Sequence, residues 1–414
     1  MLKLPYGLAD FPRLIREGFE YIDRTMFLHE VEELGEYLLF IRPRRFGKSL
    51  WLRTLAAYYD LRTADEHDEL FGHLAVGREP TSGAHRYFVL SWDFSEVSPR
   101  GSVDEVAHAL GEYVKSTLRI FLSDYRDRLP SVTLRDDAKN SLREVLAAVR
   151  RAGHPLYLLI DEYDNFANEV MVQDERTYRD LVHGDGPFKE LMKAIKAATQ
   201  GQGLERLFVT GVTPVVMSDL SSGMNIFTDV FARPELNTLC GFRHEEIRDL
   251  LERIHTTSPE GAKTSDWEID EAHRAIRDWY NGYRFSPLDE EKVYNPTMTL
   301  YFLDHLQRYG ESPRQLLDAN LAADEDKLRF VAGISTGRQS LFDQLQDEQP
   351  LEVPALARRL NLSDFITRSG EQTFLVSLLT YSGLLTLQGE SPTGALRLNF
   401  PNLAMRKLYE NQLS

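Results

Sequence analysis

Two textures alternate along the first half of the chain. Short apolar runs, LLFI (Leu38–Ile41), YFVLSW (Tyr87–Trp92), PLYLLI (Pro155–Ile160) and LFVTGV (Leu207–Val212), are bounded by polar or turn-forming residues and predict buried strands. Leu236–Cys240 is a weaker fifth. Between them lie stretches with helical period: SLWLRTLAAYYD after the first run, then Val103–Phe121, Asp137–Ala152 and Phe188–Thr199. Apolar strands separated by helices predict a parallel sheet covered on both faces.

After Gly241 the texture changes. GFRHEEIRDLLERI predicts a polar amphipathic helix, and helical patterning continues to about residue 345. Thr256–Asp266 (TTSPEGAKTSD) predicts a flexible loop. From Pro354 a helical stretch precedes two strand-like pieces, LLTLQ and ALRLNF, joined by the turn GESPTG, which suggests a small winged-helix-like unit. The expected division is a core over residues 1–240, a helical lid over 241–345 and the small unit over 346–414. No internal repeat interrupts this order.

Composition narrows the function classes. The 414 residues are 42% hydrophobic and 27% charged, as in ordinary globular proteins. With 48 basic and 64 acidic residues, the net charge is 48 − 64 = −16, which argues against a generic nucleic-acid binder. A single cysteine, Cys240, excludes an internal disulfide and a thiolate metal site. The histidines form no H-x-x-x-H pair for zinc, and no G-x-S-x-G marks a serine hydrolase. No apolar run nears the roughly 20 residues of a membrane span. The N-terminus, MLKLPYGLADF, lacks the apolar core of a secretory signal, so a cytoplasmic protein without membrane contact is expected.

The chemistry gathers in RPRRFGKSL, Arg42–Leu50. The phosphate-loop pattern is G-x-x-x-x-G-K-[ST] between a strand and a helix. Gly47, Lys48 and Ser49 match it, with LLFI before and LWLRTLAAYY after, but Arg42 stands where the first glycine is expected. Gly47 lets the backbone approach phosphates, and consecutive N–H groups at the helix start face the anion. Lys48 supplies a point charge to the phosphates, and the Ser49 hydroxyl suits Mg2+. Arg45, Phe46 and Leu50 complete the expected nucleotide-contacting loop. The competing reading is a helix N-cap, Ser49, with basic neighbours; Arg42, Arg44 and Arg45 either bind phosphate or are solvated charge, with one or two of them expected near the nucleotide or a partner.

The run PLYLLIDEYDN ends in Asp161 and Glu162. An aspartate at the C-terminal end of a buried parallel strand lies in the crevice where such sheets bind ligands. Asp161 is expected to hold Mg2+ and Glu162 to orient the attacking water. The extra strand between loop and acid resembles the additional-strand, catalytic-glutamate class of P-loop ATPases, whose sheet order is 5-1-4-3-2. In that order the end of FVTGVTPV faces the γ-phosphate, offering Thr210 or Thr213 as the polar sensor, with Thr210 preferred. No N-K-x-D stretch reads guanine, so ATP is the expected nucleotide.

Taken together, YGLADFPRLIREGFEYIDRT, YLLFIRPRRFGKSL, YFVLSWDFS, LYLLIDEYDN, FVTGVTPVVMSDLSSGMNIF, LNTLCGFRHEEI, WYNGYRF and VYNP resemble the bacterial AAA-ATPase-like proteins that usually carry a C-terminal PD-(D/E)XK nuclease domain. The arginine-led loop is itself that family's loop. The resemblance implies a P-loop ATPase core, a helical lid and a small C-terminal helical or winged unit. It further implies ATP and Mg2+, with a nuclease effector in cis or in trans. Nucleic acid and further copies of the chain are additional candidate partners. Arg284, in WYNGYRF, is a candidate second sensor, and Arg233 and Arg243 are weaker candidates for a finger acting in trans. The YIDRT segment either touches the base or, through Tyr21 and Asp23, braces the sheet, and Trp279, Tyr280, Tyr283 and Phe285 are expected to form lid core, with stacking on nucleic acid as the alternative. SSGMN (Ser221–Asn225) is expected to be a loop beside the sensor strand. No E-x-K strand follows residue 350, so the nuclease is expected to lie outside this chain.

Overall fold

A computed structural model of the chain describes residues 1–220, 225–257, 267–317, 344–345, 349–358, 360–361 and 371–413. It begins with helices α1 (Phe11–Arg16) and α2 (Phe27–Leu34), strand β1 (Tyr37–Ile41), the loop Arg42–Gly47 and helix α3 (Lys48–Tyr59). Short helices α4 (His67–Phe71) and α5 (Ala75–Arg78) lead to β2 (Phe88–Asp93). Helices α6 (Val103–Asp124) and α7 (Ala138–Ala152) precede β3 (Leu156–Asp161). Then come α8 (Asn165–Gln173), α9 (Glu175–Val182), α10 (Pro187–Ala198), β4 (Leu204–Gly211), α11 (Val215–Asp219) and β5 (Thr228–Asp229).

The five strands form one parallel sheet in the order β2-β3-β4-β1-β5, the expected 5-1-4-3-2 read from the other edge. Strand β4 therefore separates the loop strand from the acid strand. All six residues of β3 are buried, because α3 packs over β2 and β3 while α6 packs over β2. Register decides which side chains meet at the C-terminal edge. Asp93 lies opposite Asp161, Ile160 opposite Val209, and Phe40 opposite Thr210. Local signals fix the flanking helices: Ser102 and Glu105 form a reciprocal capping box at the start of α6.

One expected strand is elsewhere. Leu236–Cys240 is not a strand, since Pro234–Leu236 is a single 3-10 turn. The fifth strand is the two-residue Thr228–Asp229, paired with Leu38 and Leu39. Leu236, Leu239 and Cys240 are apolar because they are buried, not because they pair.

Beyond the sheet, α12 (His244–Thr257), α13 (Ile269–Tyr280) and α14 (Pro296–Tyr309) match the helical expectation. Residues 281–295 do not. They form a strap in which Tyr283 bridges Val293 and Phe242 bridges Tyr294, both antiparallel. Asn295 then caps α14 by accepting from the Met298 N–H, with Pro296 in the first turn, which accounts for the VYNP stretch. The expected helix from 318 to 343 and most of the expected Thr256–Asp266 loop lie outside the described residues.

The C-terminal part comprises β6 (Leu351–Val353), α15 (Gln372–Tyr381), β7 (Thr386–Glu390), β8 (Leu396–Asn399) and α16 (Leu403–Leu413). The expected hairpin is present, and β6, which was not expected, extends it to an antiparallel sheet of order β6-β8-β7. Among the described residues, no helix is long and apolar enough to cross a membrane.

Candidate nucleotide site

The loop after β1 is held open by its backbone. Gly47 sits at φ +86°, in the left-handed region, and a Cβ built there would meet nothing within 4 Å. Arg45 is also left-handed, at φ 67°, without being glycine. Such a conformation costs of order 1 kcal/mol or more and persists where the surroundings enforce it. Here the Thr297 hydroxyl donates to the Arg45 carbonyl at 3.2 Å, and Phe46 is buried beneath the loop. The Phe46 ring meets Tyr283 and Phe285 edge-on, at centroid distances of 4.8 and 5.4 Å. Of the four expected aromatics, Tyr283 and Phe285 thus pack against the loop itself, while Tyr280 meets Phe302 at 6.2 Å.

Lys48 is 5% exposed, and its ammonium donates to the carbonyls of Arg42 at 3.0 Å and Pro43 at 2.9 Å. Burial pushes its pKa down, while the charges of Glu162 and Asp161 pull it back up. A buried ammonium held by carbonyls alone has more affinity for an anion than its partners satisfy.

A cavity of about 310 Å³ lies over this loop. Arg45, Phe46, Gly47, Lys48, Ser49 and Leu50 form its floor, and Glu162 lines it. Of its walls, only the YIDRT segment is a candidate for contact from the sequence. Leu4–Ala9 and Glu20–Ile22 make one side, while Leu239–Phe242, Pro296, Thr297 and Leu300 make the other. Arg24 ties the two sides together, donating both arms to Glu246 at 2.6 and 2.7 Å and one to the Gly241 carbonyl at 2.9 Å. The Nη1 atom of Arg45 is buried with no hydrogen-bond partner among the described residues. An open cradle at Gly47, a buried ammonium and an unpartnered guanidinium nitrogen together fit a polyphosphate.

Ser49 also borders a second, wider cleft of about 810 Å³, which Asp161 and Asp93 line from the sheet edge. Of the expected metal-holding pair, Ser49 lines both cavities and Asp161 lines the second, so both face the wider cleft. Asp161 Oδ1 accepts from its neighbour's N–H (Glu162, 3.0 Å) and from the Thr210 hydroxyl. Glu162 is left-handed, at φ 47°, so its side chain leaves the strand end at an angle no regular strand provides. Burial holds its carboxyl above the usual range, against the opposing pull of Lys48 and Arg44.

Thr210 is fully buried and its hydroxyl is committed to Asp161. Thr213 bonds Asp164 instead, its hydroxyl donating at 3.0 Å and its N–H at 2.9 Å. Asp164, also 1% exposed, accepts from the Val212 N–H and thereby joins the acid segment to the end of β4. The sequence reading quoted this residue without giving it a role.

Arg284 is not brought to the cavity. It is 8% exposed, and its guanidinium donates to the carbonyls of Ser286 at 2.9 Å and Pro287 at 2.6 Å. Its backbone N–H donates to the Thr386 hydroxyl at 2.8 Å, tying the strap to β7. Arg233 is exposed, and Arg243 is half-exposed beside Glu246 and Glu291. Asp23 accepts from the Thr25 N–H at 2.8 Å and the Ala75 N–H at 2.7 Å, so it fastens the start of α5 and not the sheet, while Tyr21 lines the cavity. Residues Ser221–Met224 of SSGMN lie outside the described residues.

The sequence profile of the predicted AAA-ATPases (AAA-ATPase-like) matches residues 5–221, which spans the loop, the acid pair and the sensor strand. The chain belongs to the predicted AAA-ATPase family. A relative from Azotobacter chroococcum mcd 1, described as an uncharacterised protein in the vnfD 5′ region, is 26% identical over 409 residues. That match covers 98% of this chain and 68% of the relative. Among solved structures, a Walker-type ATPase of Pyrococcus abyssi is similar at TM-score 0.48 and 14% identity, over 94% of each chain. The ORC2 protein of Aeropyrum pernix, solved with ADPNP and ADP, is similar at TM-score 0.39 and 11% identity, over 97% of each chain. These structural likenesses are loose, and family membership rests on the sequence match. As a member of this ATPase family, the chain presents its Arg45–Leu50 loop and Glu162 at one cavity, with Asp161 on the adjoining cleft that Ser49 also lines.

Proposed function

We propose that this chain binds ATP with Mg2+ at the Arg42–Leu50 loop, hydrolyses it, and uses the nucleotide state to gate an effector. By the resemblance, that effector is a PD-(D/E)XK nuclease, in cis or in trans. The observation that carries the binding step is the buried Lys48 ammonium, whose hydrogen-bond partners among the described residues are the Arg42 and Pro43 carbonyls, at the floor of a cavity that Glu162 also lines.

The chemistry follows from the residues. Lys48 exchanges its carbonyl partners for phosphate oxygens, and the N–H groups at the start of α3 face the same anion. Ser49 and Asp161 fit a Mg2+ ion, which, when bound, neutralises charge on the phosphates. Thr210 orients Asp161 through its hydrogen bond. Glu162 orients a water and takes its proton, a task suited to a carboxyl whose pKa is raised toward neutrality. Thus Glu162→Gln should keep ATP binding and lose phosphate release. A Glu162→Gln variant that releases phosphate at the wild-type rate would remove Glu162 from this role.

A second reading is a nucleotide-binding scaffold without turnover. It draws on Thr210, whose hydroxyl is committed to Asp161 and leaves the cavity without the expected sensor. Saturable ATP binding by the wild-type chain with no phosphate release would favour it. Nucleic-acid contact through the C-terminal unit draws little support, because every residue of α15 from Phe374 to Tyr381 is buried and α15 therefore offers no reading face.

A further inference from the structure

Arg42 is the residue that makes this loop unlike the general pattern, and it is 0% exposed. Its guanidinium donates to the carbonyls of Ile41 at 2.8 Å, Phe231 at 2.9 Å and Leu236 at 2.9 Å. Aromatic rings surround it, with its Cζ lying 4.2 Å from the Phe285 centroid and 4.5 Å from that of Phe40. Among the described residues no carboxylate forms a salt bridge with it and Asp229 acts on it only through its field, so its direct partners are carbonyls and rings. Burial pushes its pKa down to about 10, which still leaves it charged at neutral pH.

What Arg42 joins matters more than its burial. Its own carbonyl is one of the two that hold the Lys48 ammonium. Two of the three carbonyls its side chain grips belong to Phe231 and Leu236, and the next residue, Asn237, continues the connection. The Asn237 side-chain oxygen accepts from the Phe285 N–H at 2.9 Å, and its amide donates to the Glu291 carbonyl at 2.9 Å. The 281–295 strap is thus linked to the loop through Arg42 and again through the Phe46 ring. The C-terminal unit closes on the same place. Tyr381 packs on Phe231 at 4.7 Å, and Gly383 approaches so closely that an added Cβ would lie 2.7 Å from Pro43.

We infer that Arg42 is a positioning residue that makes the geometry of the phosphate loop conditional on the docking of the strap and the C-terminal unit. A glycine at this position would free the loop, whereas arginine fastens it to the elements an effector would move. This inference rests on nucleotide binding at the same loop. It accounts for the departure from the general pattern as a coupling device instead of a lost contact.

The test compares the full chain with Arg42→Met, Arg42→Lys and Phe285→Leu, well below their melting temperatures. Two quantities are read: MgATP affinity, and amide exchange of residues 283–294 with and without MgATP. The wild type should slow exchange in the strap on binding. Arg42→Met, which keeps volume but loses three charge-assisted hydrogen bonds, should lose about tenfold or more in affinity. Arg42→Lys should recover part of that affinity. In all three variants the nucleotide-dependent protection of the strap should be lost, and Phe285→Leu reports the coupling even if Arg42→Met does not fold. A purely structural role would lower melting temperature while leaving affinity and strap protection as in the wild type, and that result overturns the inference. A wild-type chain that binds MgATP without protecting the strap overturns it too. A wild-type chain that binds no nucleotide overturns the nucleotide-site reading as well, so the two failures are distinguishable.

Discussion

Thr210 offers the sharpest quantitative prediction. The expected sensor would touch the γ-phosphate, but the hydroxyl is wholly buried and donates to Asp161 Oδ1. Thr210→Val removes one hydrogen bond to a carboxylate, worth about 1.5–3 kcal/mol. The carboxylate then keeps only the Glu162 N–H on that oxygen and is free to turn. Partners that orient a metal ligand typically account for about 10–100-fold in metal affinity. Phosphate release measured against free Mg2+ should therefore show the half-saturating Mg2+ concentration rising by about tenfold or more. Thr210→Ser, which keeps the hydroxyl, should restore most of it. If Thr210→Val lowers the maximal rate while the Mg2+ requirement stays at the wild-type value, the hydroxyl acts on the phosphate and not through Asp161.

The remaining predictions concern charge and the strap. The raised pKa of Glu162 places the acid limb of the rate against pH above the ordinary glutamate value of about 4.3, and a limb at or below that value contradicts a buried base. For stability the sign is the reverse of the usual carboxylate case: the folded state binds this proton more tightly than the unfolded state. Glu162 ionisation therefore lowers stability as pH rises from the ordinary value through the raised one. The melting-temperature gain of Glu162→Gln over the wild type should accordingly grow across that window, and a constant difference would contradict it. Arg284→Ala should lower stability by about 1.5–3 kcal/mol, because two carbonyls lose a charged donor, while phosphate release per folded molecule stays near wild type. Normal melting with lost turnover would return Arg284 to the sensor role.

Much of the fold was readable because its signals are local. An apolar run long enough for a strand, a Gly-Lys-Ser step and a helical period fix β1, the loop and α3 without reference to anything distant. The apolar run that ends in Asp161 does the same for β3. The misplaced fifth strand shows the limit. Thr228–Asp229 pairs through its backbone with Leu38 and Leu39, so it needs no apolar signature, while Leu236, Leu239 and Cys240 are apolar because they are buried. Site roles fail for a related reason. A sequence shows three arginines in Arg42–Arg45 but not that one is 0% exposed and bonded to residues nearly two hundred positions away, as the 189-residue separation to Phe231 shows. It shows Arg284 in the lid but not that Ser286 and Pro287 occupy its donors. The cavity walls at Leu4–Ala9 and Leu239–Phe242 are assembled from opposite ends of the ATPase segment, which no local pattern announces.

The most direct test of the central claim is equilibrium binding of MgATP to the full chain, beside Lys48→Ala. The ammonium sits at the cavity floor with only two carbonyls as partners, so its removal deletes the main positive charge offered to the phosphates. The account predicts saturable binding by the wild type, weakened by at least about 10- to 100-fold in a Lys48→Ala variant that melts like the wild type. Equal affinity in the two proteins, or no binding to either, would contradict it.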